Sequence, residues 1–230
     1  MKNVYLTTIF ILAACLIGTS AIAQDTETRS VKSFNGVKVG QAIDLYLTTG
    51  NSQQVRVEVE DGNVSDVETE VSSGVLKIGM RKGNYRNIRV KVYVTHTGLE
   101  MISASSASNV YSENAINTSR MDVNISSAAS AELEIRSDEI DIQVSSSGEI
   151  ELTGSAKRAS MSASSAGDID AYDFEVDELR ARASSAGGIR ARAKSAIDAH
   201  ASSGGSVRWR GNPSKSRTDS SSGGSVRKSG

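Results

Sequence analysis

Cysteine and proline each occur once in the 230 residues, as Cys15 and Pro213, and aromatic residues make up only 4% of the chain. A single cysteine excludes an internal disulfide, and the part of the chain after residue 15 has no thiol site. Few aromatic residues predict a narrow core built from small side chains. Serine, alanine and glycine are abundant instead, and they recur in a regular pattern.

The first 23 residues are typical of a secretory signal peptide. Lys2 gives a positive start, residues 9–17 form an apolar core, and Ala21-Ile22-Ala23 provides a small-residue cleavage site before Gln24. We therefore expect an exported protein, located in the periplasm, on the outer-membrane surface or outside the cell. No transmembrane span is expected in the mature chain.

A second interpretation of this segment is a lipoprotein signal. Leu12-Ala13-Ala14-Cys15 resembles a bacterial lipid-attachment box, and cleavage there would leave a lipid anchor on Cys15. An apolar Leu16-Ile17 directly after the anchor suits such a tether poorly, so we rank this interpretation second. Residues 24–30, which follow the signal peptide, are polar and are predicted to be disordered.

Residues 31–100 contain short segments that alternate between apolar and polar residues. Val55 to Glu60 and Ile88 to Val94 keep a period of two, which is typical of strands with one buried face. Glycine and asparagine fall between the segments as turns. Because residues 24–230 show no helical periodicity, the sequence predicts an all-β protein with an irregular N-terminal β region that starts and caps the remainder.

From residue 101 onward, one short phrase returns seven times: two serines, one or two small residues, and an isoleucine, valine or similar residue. The serine four residues before that apolar residue is separated from the next such serine by 21, 19, 19, 20, 18 and 19 residues. A nearly constant period of this size is typical of stacked coils. The sequence predicts a single-stranded parallel β-helix (β-solenoid) with about 19 residues per coil over residues 101–230. The seven serines are Ser106, Ser127, Ser146, Ser165, Ser185, Ser203 and Ser222.

Alternation within each coil separates an inner from an outer face. Ile140, Ile142 and Val144 share one parity with Ser146, Gly148 and Ile150, and the residues between them are polar. By this parity the seven serines should point inward, and the same parity places Trp209 inside the last coils. Buried hydroxyls need partners, so we predict that serines one coil apart form a hydrogen-bonded ladder.

The order of these segments resembles the head GIN domain family of putative auto-transporter adhesins, a group of secreted or envelope β-helical proteins of Gram-negative bacteria. The resemblance covers about Ser30 to Arg227. It implies a non-enzymatic protein that binds surfaces. It rests on the Ser-Ser-Gly-x-Ile phrases together with Phe34–Val39, Ile43–Leu47, Val55–Glu60, Gly74–Ile78 and Ile88–Val94.

Charge is divided unevenly between two parts of the repeat region. Residues 101–178 contain 4 Lys/Arg and 15 Asp/Glu, whereas residues 179–230 contain 11 and 2. The outer position after the buried apolar residue is Glu132, Glu151 and Asp170 in three coils and arginine in the next three. The candidate binding surface comprises Arg190, Arg192, Arg208, Arg210, Arg227 and Lys228.

Three interpretations of this charge division remain open. It could serve solubility alone, bind an anionic glycan, lipopolysaccharide or another envelope protein, or pair the basic end of one molecule with the acidic middle of another. Nucleic acid is not an expected partner, because the sequence lacks aromatic stacking positions.

No motif points to catalysis or to a cofactor. There is no Gly-x-Ser-x-Gly, the only histidines are His96 and His200, and the acidic run in residues 167–178 lacks calcium-loop spacing. We therefore predict a non-enzymatic protein without a metal or cofactor. A carbohydrate-active β-helix enzyme and a purely structural envelope spacer are the alternatives.

Overall fold

The structure, a computed structural model, describes residues 24–229. The predicted signal peptide and Cys15 lie outside these residues. The described chain forms seventeen strands and one 3₁₀ turn, Val64–Asp66, and the strands belong to one continuous hydrogen-bonded sheet. Their bounds are β1 Gln24–Arg29, β2 Gly36–Val39, β3 Ile43–Thr49, β4 Gln54–Glu60, β5 Val67–Ser72, β6 Val75–Met80, β7 Arg89–His96, β8 Met101–Ala104, β9 Asn109–Ser112, β10 Ile116–Ile125, β11 Ser130–Val144, β12 Glu149–Ala163, β13 Asp168–Ala183, β14 Gly188–Ala201, β15 Ser206–Arg210, β16 Lys215–Ser220 and β17 Ser225–Lys228.

Strands β10 to β14 pair in parallel with one another at nearly constant sequence separation. Ile142 of β11 lies beside Met161 of β12, and Met161 lies beside Ala181 of β13. The steps of 21, 19, 19, 20, 18 and 19 residues all recur in the strand register. The predicted parallel β-solenoid is therefore confirmed, with about seven turns.

The solenoid begins earlier in the chain than the repeat indicates. The coil of β2 and β3 lies between the coil of β6 and β7 and the coil of β8 and β9, and all of these contacts are parallel. Residues 36–49 and 75–96 thus already form coils, as expected of an N-terminal β region that starts the stack. Apolar alternation predicted the strands, but it carries no information about which strand lies beside which.

Antiparallel strands close the N-terminal end of the stack. Strand β5 pairs with β6, β4 pairs with β7, and β1 pairs with β4. The guanidinium of Arg29 crosses the end and donates to the carbonyls of Val64 and Val67 at 2.6 and 2.7 Å and to the hydroxyl of Thr69 at 3.1 Å. The prediction that residues 24–30 are disordered is therefore wrong for β1. Its composition is polar, but it is held by backbone pairing and by Arg29 rather than by apolar burial.

Each Ser-Ser phrase forms a tight turn. In one of them the N–H of Gly148 donates to the carbonyl of Ser145 at 2.9 Å, and the two residues between, Ser146 and Ser147, have φ of 51° and 59°. Positive φ at both central residues is the pattern of a type I′ turn. The equivalent hydrogen bond closes the other six turns at 2.8–3.4 Å.

The predicted buried serine ladder is wrong. All seven serines occupy the first central position of a turn, where φ is positive and the side chain is exposed. A left-handed residue does not continue the alternation of a strand, so the parity that predicts inward serines fails within the turn. The turns do stack, but through their backbones: the N–H of Ser147 donates to the carbonyl of Ser165 at 3.0 Å, and the N–H of Ala166 donates to that of Ser185 at 3.1 Å.

The small residue two positions after each of these serines is buried in the first six of the seven coils, as predicted. It is Gly148 in one coil and Gly187 in another, and both are buried. A Cβ at Gly148 would lie 2.9 Å from the carbonyl oxygen of Ile125, and one at Gly187 would lie 2.4 Å from that of Ala163. The glycines therefore allow a turn to approach the backbone of the preceding coil.

The core is a thin shaft of aliphatic side chains. Valine, isoleucine and leucine fill the coils nearer the N-terminus, whereas alanine is frequent from β12 to β14. Phe174 is the largest fully buried side chain, and Trp209 points inward near the C-terminal end with 7% exposure, as its parity predicts. The outer face is thus left to charged, small polar and tyrosine side chains.

Candidate binding surface

The outer residues predicted to form a charged column do lie side by side in successive coils. Their register pairs Glu132 with Glu151, Glu151 with Asp170, Asp170 with Arg190, Arg190 with Arg208, and Arg208 with Arg227. Neighbouring strands are about 4.8 Å apart, so the six side chains form one line along the solenoid. We name its two parts the acidic segment (Glu132, Glu151 and Asp170) and the basic segment (Arg190, Arg208 and Arg227).

Three tyrosines continue this column toward the N-terminus. The rings of Tyr46 and Tyr93 stack with centroids 4.9 Å apart, and those of Tyr46 and Tyr111 stack at 5.2 Å. The guanidinium of Arg56 covers the far face of Tyr93, 4.0 Å from its centroid. The faces of Tyr46 and Tyr93 are used within the stack, whereas the second face of Tyr111 lies toward Glu132 of the next coil. This stack is a structural extension of the column.

Sequence reasoning missed the tyrosine stack, because Tyr46 and Tyr93 come from two short strands outside the regular repeat and only Tyr111 lies within it. Their only signal in the sequence is an outward tyrosine in each strand. The pKa of Tyr111 is raised, first by burial and then by the nearby charges of Asp44 and Glu132 and by Tyr46. Tyr111 therefore stays neutral where the column passes from aromatic to acidic residues.

Arg190 marks the change of sign and is held by two carboxylates. Its Nε donates to Asp170 at 2.9 Å, and a terminal nitrogen donates to Asp168 at 2.7 Å. Gly188 makes this possible, since a Cβ there would lie 2.3 Å from the Asp168 carboxylate. Burial lowers the pKa of Arg190, but the hydrogen bonds and charges of the two aspartates outweigh it and raise the pKa overall. The charge of Arg190 is thus compensated within the chain.

The other residues of the predicted basic surface fall into two groups. Arg192 lies 3.8 Å from the Glu175 carboxylate, Arg210 stacks 4.0 Å over the ring of Tyr172, and Lys228 lies 5.3 Å from the ring of Trp209. By contrast, Arg208 and Arg227 are exposed and make no ion pair with any residue from 24 to 229. These two guanidinium groups are the ones available to a ligand.

A bulge in β13 brings Tyr172 to this surface. The register between β13 and β14 shifts after Ala171, and the hydroxyl of Tyr172 reaches the hydroxyl of Ser229 at 3.2 Å. The N–H of Tyr172 donates to the Asp170 carboxylate at 3.2 Å. The sequence signal was the step of 20 residues followed by one of 18, which indicates an irregular coil but not where its side chains go.

A groove with a volume of about 420 Å³ lies on another side of the solenoid. Aliphatic residues such as Ile140 and Leu179 form its floor, and charged residues line both walls. Glu139 and Arg158 form an ion pair across neighbouring coils, and the hydrogen bond from Arg158 and its charge lower the pKa of Glu139. Compensated charges of this kind do not single out a ligand.

The described residues show no catalytic constellation. His96 is fully buried, and neither of its ring nitrogens has a hydrogen-bond partner. His200 pairs with the Asp219 carboxylate at 3.1 Å rather than with a serine. Between residues 24 and 229, no three His, Cys, Asp or Glu side chains are grouped so that they could hold a metal ion. A helix long and apolar enough to cross a membrane is likewise not found in this part of the chain.

Comparison with protein families matches residues 33–213 to the family described as "Putative auto-transporter adhesin, head GIN domain". A comparison with curated proteins finds no match. Solved structures share the fold over 90% of this chain and 97% of their own chains. They are a putative adhesin from Bacteroides fragilis (20% identity, TM-score 0.82), a putative adhesin from Parabacteroides distasonis (22%, 0.74) and a putative lipid binding protein from Parabacteroides distasonis (20%, 0.64).

Proposed function

The chain belongs to the head GIN domain family of putative auto-transporter adhesins, and from that premise we propose that it is a non-enzymatic surface-binding protein whose basic segment contacts an anionic glycan. The observation that carries this proposal is the pair Arg208 and Arg227. Both are exposed, both are free of intramolecular ion pairs within residues 24–229, and they occupy adjacent positions of one column.

The chemistry of the ligand follows from the arginines. A guanidinium binds phosphate and carboxylate groups through two parallel hydrogen bonds, and the parallel strands hold the groups about 4.8 Å apart on a rigid face. A polymer with closely spaced anionic groups can contact both at once. Lipopolysaccharide, with phosphates on its inner part, and acidic polysaccharides both meet this requirement, whereas a neutral glycan does not.

A double variant tests this proposal. We expect Arg208→Ser combined with Arg227→Ser to weaken binding to immobilised lipopolysaccharide and to an acidic polysaccharide by about 5- to 30-fold at low salt, since each exposed ion contact contributes up to about 1 kcal/mol. The matched control is Arg180→Ser combined with Arg217→Ser, which removes the same charge from exposed positions on another face. Equal weakening by both double variants, or by neither, would eliminate the basic segment as the contact.

The enzymatic alternative is separated by a different readout. A carbohydrate-active enzyme would release new reducing ends or unsaturated sugars from a panel of polysaccharides, whereas a binding protein would bind without releasing either. A purely structural spacer would neither bind nor release. The three outcomes do not overlap, so one panel assayed in both ways distinguishes them.

We also propose that the protein acts outside the cytoplasm, after removal of residues 1–23. The mass of the N-terminal peptide of the purified protein tests this. A peptide beginning at Gln24 indicates a free or periplasmic protein, a lipid-modified Cys15 indicates a membrane-tethered one, and an intact Met1 contradicts export.

A further inference from the structure

The charged column changes sign once, at its midpoint, and this gives it a symmetry that the binding proposal does not use. Counted along the solenoid, the acidic segment occupies three successive coils and the basic segment the next three. Inverting the order of the six positions exchanges every acid with an arginine. Such a surface is complementary to itself.

We propose that two copies of the chain associate side by side and antiparallel through this column, as a dimer with two-fold symmetry. In a two-fold interface the same patch is used by both copies, and the axis here lies along the strand direction, between the coils of Asp170 and Arg190. Each coil then faces the coil equally far on the other side of the axis. Glu132 of one copy meets Arg227 of the other, Glu151 meets Arg208, and Asp170 meets Arg190.

The intramolecular ion pairs fit this arrangement. Arg190 and Asp170 at the axis already compensate each other within one chain. The outer residues do not: Glu132 and Glu151 are exposed and, like Arg208 and Arg227, make no ion pair with residues 24–229. Of the six residues in the column, the four without an intramolecular ion pair are therefore those that the two-fold symmetry pairs between the two copies.

The two flanking columns are compatible with the same contact. On one side, Glu134 and Asp173 precede the midpoint, and Arg192 and Arg210 follow it, with Glu175 rather than Asp173 beside Arg192 because of the bulge; the sign therefore changes in the same direction. In the flanking column on the other side, the acidic residues of the first three coils face only glycine and serine from the last three coils of the second copy. That column consists of Ser130, Glu149, Asp168, Gly188, Ser206 and Ser225.

The geometry also limits the strength of the contact. Six coils at about 4.8 Å and three columns about 7 Å apart cover roughly 400–500 Å² on each copy. That area lies at the lower end for specific complexes, so the dimer should be weak and reversible. The longer N-terminal halves extend past the partner's last coil in opposite directions and do not collide.

Charge reversal combined with mixing tests the proposed register. In an Arg208→Glu homodimer, position 208 faces Glu151 at two places, and in a Glu151→Arg homodimer, position 151 faces Arg208 at two places. Like charges then meet, so both variants should associate more weakly than the wild type. In a one-to-one mixture the heterodimer has an opposite-charge pair at both places. Sedimentation velocity at low salt should therefore show dimers for the wild type and for the mixture, and at least a tenfold weaker association for each variant alone.

Arg217→Glu is the matched control, because it makes the same charge change on a different face; it should dimerise like the wild type. High salt should dissociate every dimer, as the Debye length falls from about 30 Å at 0.01 M to about 3 Å at 1 M. Recovery in the mixture also proves that both variants are folded. A monomeric wild type at low salt, single variants that still dimerise, or a mixture that stays monomeric would each overturn the proposal. The dimer uses Arg208 and Arg227, so it competes with glycan binding for the same groups. The test contains no glycan, and its outcome therefore does not depend on the proposed binding function.

Discussion

Replacing Gly187 by alanine would place a methyl group against the preceding coil. The new Cβ would lie 2.4 Å from the carbonyl oxygen of Ala163 and 2.5 Å from its carbonyl carbon, whereas real Cβ contacts do not fall below 3.0 Å. Both obstructing atoms belong to the backbone and cannot rotate away. The same oxygen accepts the hydrogen bond from the N–H of Ser184 at 2.9 Å, which ties the turn to the coil before it.

The expected cost has two parts. Forcing an extra carbon into a packed interior costs about 1–3 kcal/mol, and weakening one backbone hydrogen bond adds about 0.5–1.5 kcal/mol. For a chain of this size each kcal/mol lowers Tm by about 2–4 °C, so the Gly187→Ala variant should melt about 5–15 °C below the wild type.

Thermal unfolding followed by circular dichroism measures this difference. The matched control is Gly98→Ala, the same substitution where a Cβ meets no atom within 4 Å, and its Tm should stay within about 2 °C of the wild type. Equal Tm values for the two variants would refute the close approach of this turn to the preceding coil.

Three further predictions concern the turns, the core and a buried histidine. Changing Ser165 to Asn together with Ala166 to Gly gives the pair that type I′ turns prefer, so Tm should rise by about 2–4 °C, whereas a buried serine ladder would predict a fall. Phe174→Ala should lower the free energy of unfolding by about 3–5 kcal/mol in a denaturant titration, because this ring is fully buried; a loss below about 1 kcal/mol would contradict that burial. Burial lowers the pKa of His96, so the unfolded chain binds the proton more readily and stability should fall as pH drops below about 6.5, by up to about 1.4 kcal/mol per pH unit. A His96→Phe variant should lose this part of the pH dependence. If its Tm difference between pH 7 and pH 5 equals that of the wild type, His96 is not the cause of the pH dependence.

The repeat region shows how far periodicity can be used to predict this fold. The spacing of the serine phrases recurs in the strand register of the repeat coils, and the alternation correctly places Ile142, Gly148 and Trp209 inside. It fails at Ser146, because two consecutive left-handed residues interrupt the strand geometry on which parity depends. The alternation of inward and outward side chains, with a period of two residues, describes strands. It does not describe the turn between two strands.

The N-terminal coils show a different limit. The strands at residues 36–49 and 75–96 are recognisable from their alternation, yet the coil of β2 and β3 lies between two coils that follow it in the chain. No local signal in the sequence specifies the order in which these coils stack. That order depends on pairing between strands that are distant in the sequence. The same holds for β1, whose polar residues gave no reason to expect a strand.

The candidate surface was predictable as a column but not in its details. Counting coils identifies Arg190, Arg208 and Arg227 as neighbours, because register follows from the repeat. Which of them is free depends on contacts that span coils: Asp168 and Asp170 hold Arg190, and the bulge after Ala171 brings Tyr172 beneath Arg210. Those contacts distinguish two available arginines from a set of six basic residues.

The alignment of successive coils can be measured directly by disulfide formation, because the only native cysteine lies in the predicted signal peptide. Glu151 and Asp170 are register partners in adjacent coils, about 4.8 Å apart, which is within the Cα separation that a disulfide spans. In the chain from Gln24 onward, Glu151→Cys with Asp170→Cys should therefore cross-link within one molecule under mild oxidation. Glu151→Cys with Arg190→Cys, two coils apart at roughly 10 Å, should remain reduced. Cross-linking of the distant pair, or failure of the adjacent one, would contradict the stacked column on which both proposals depend.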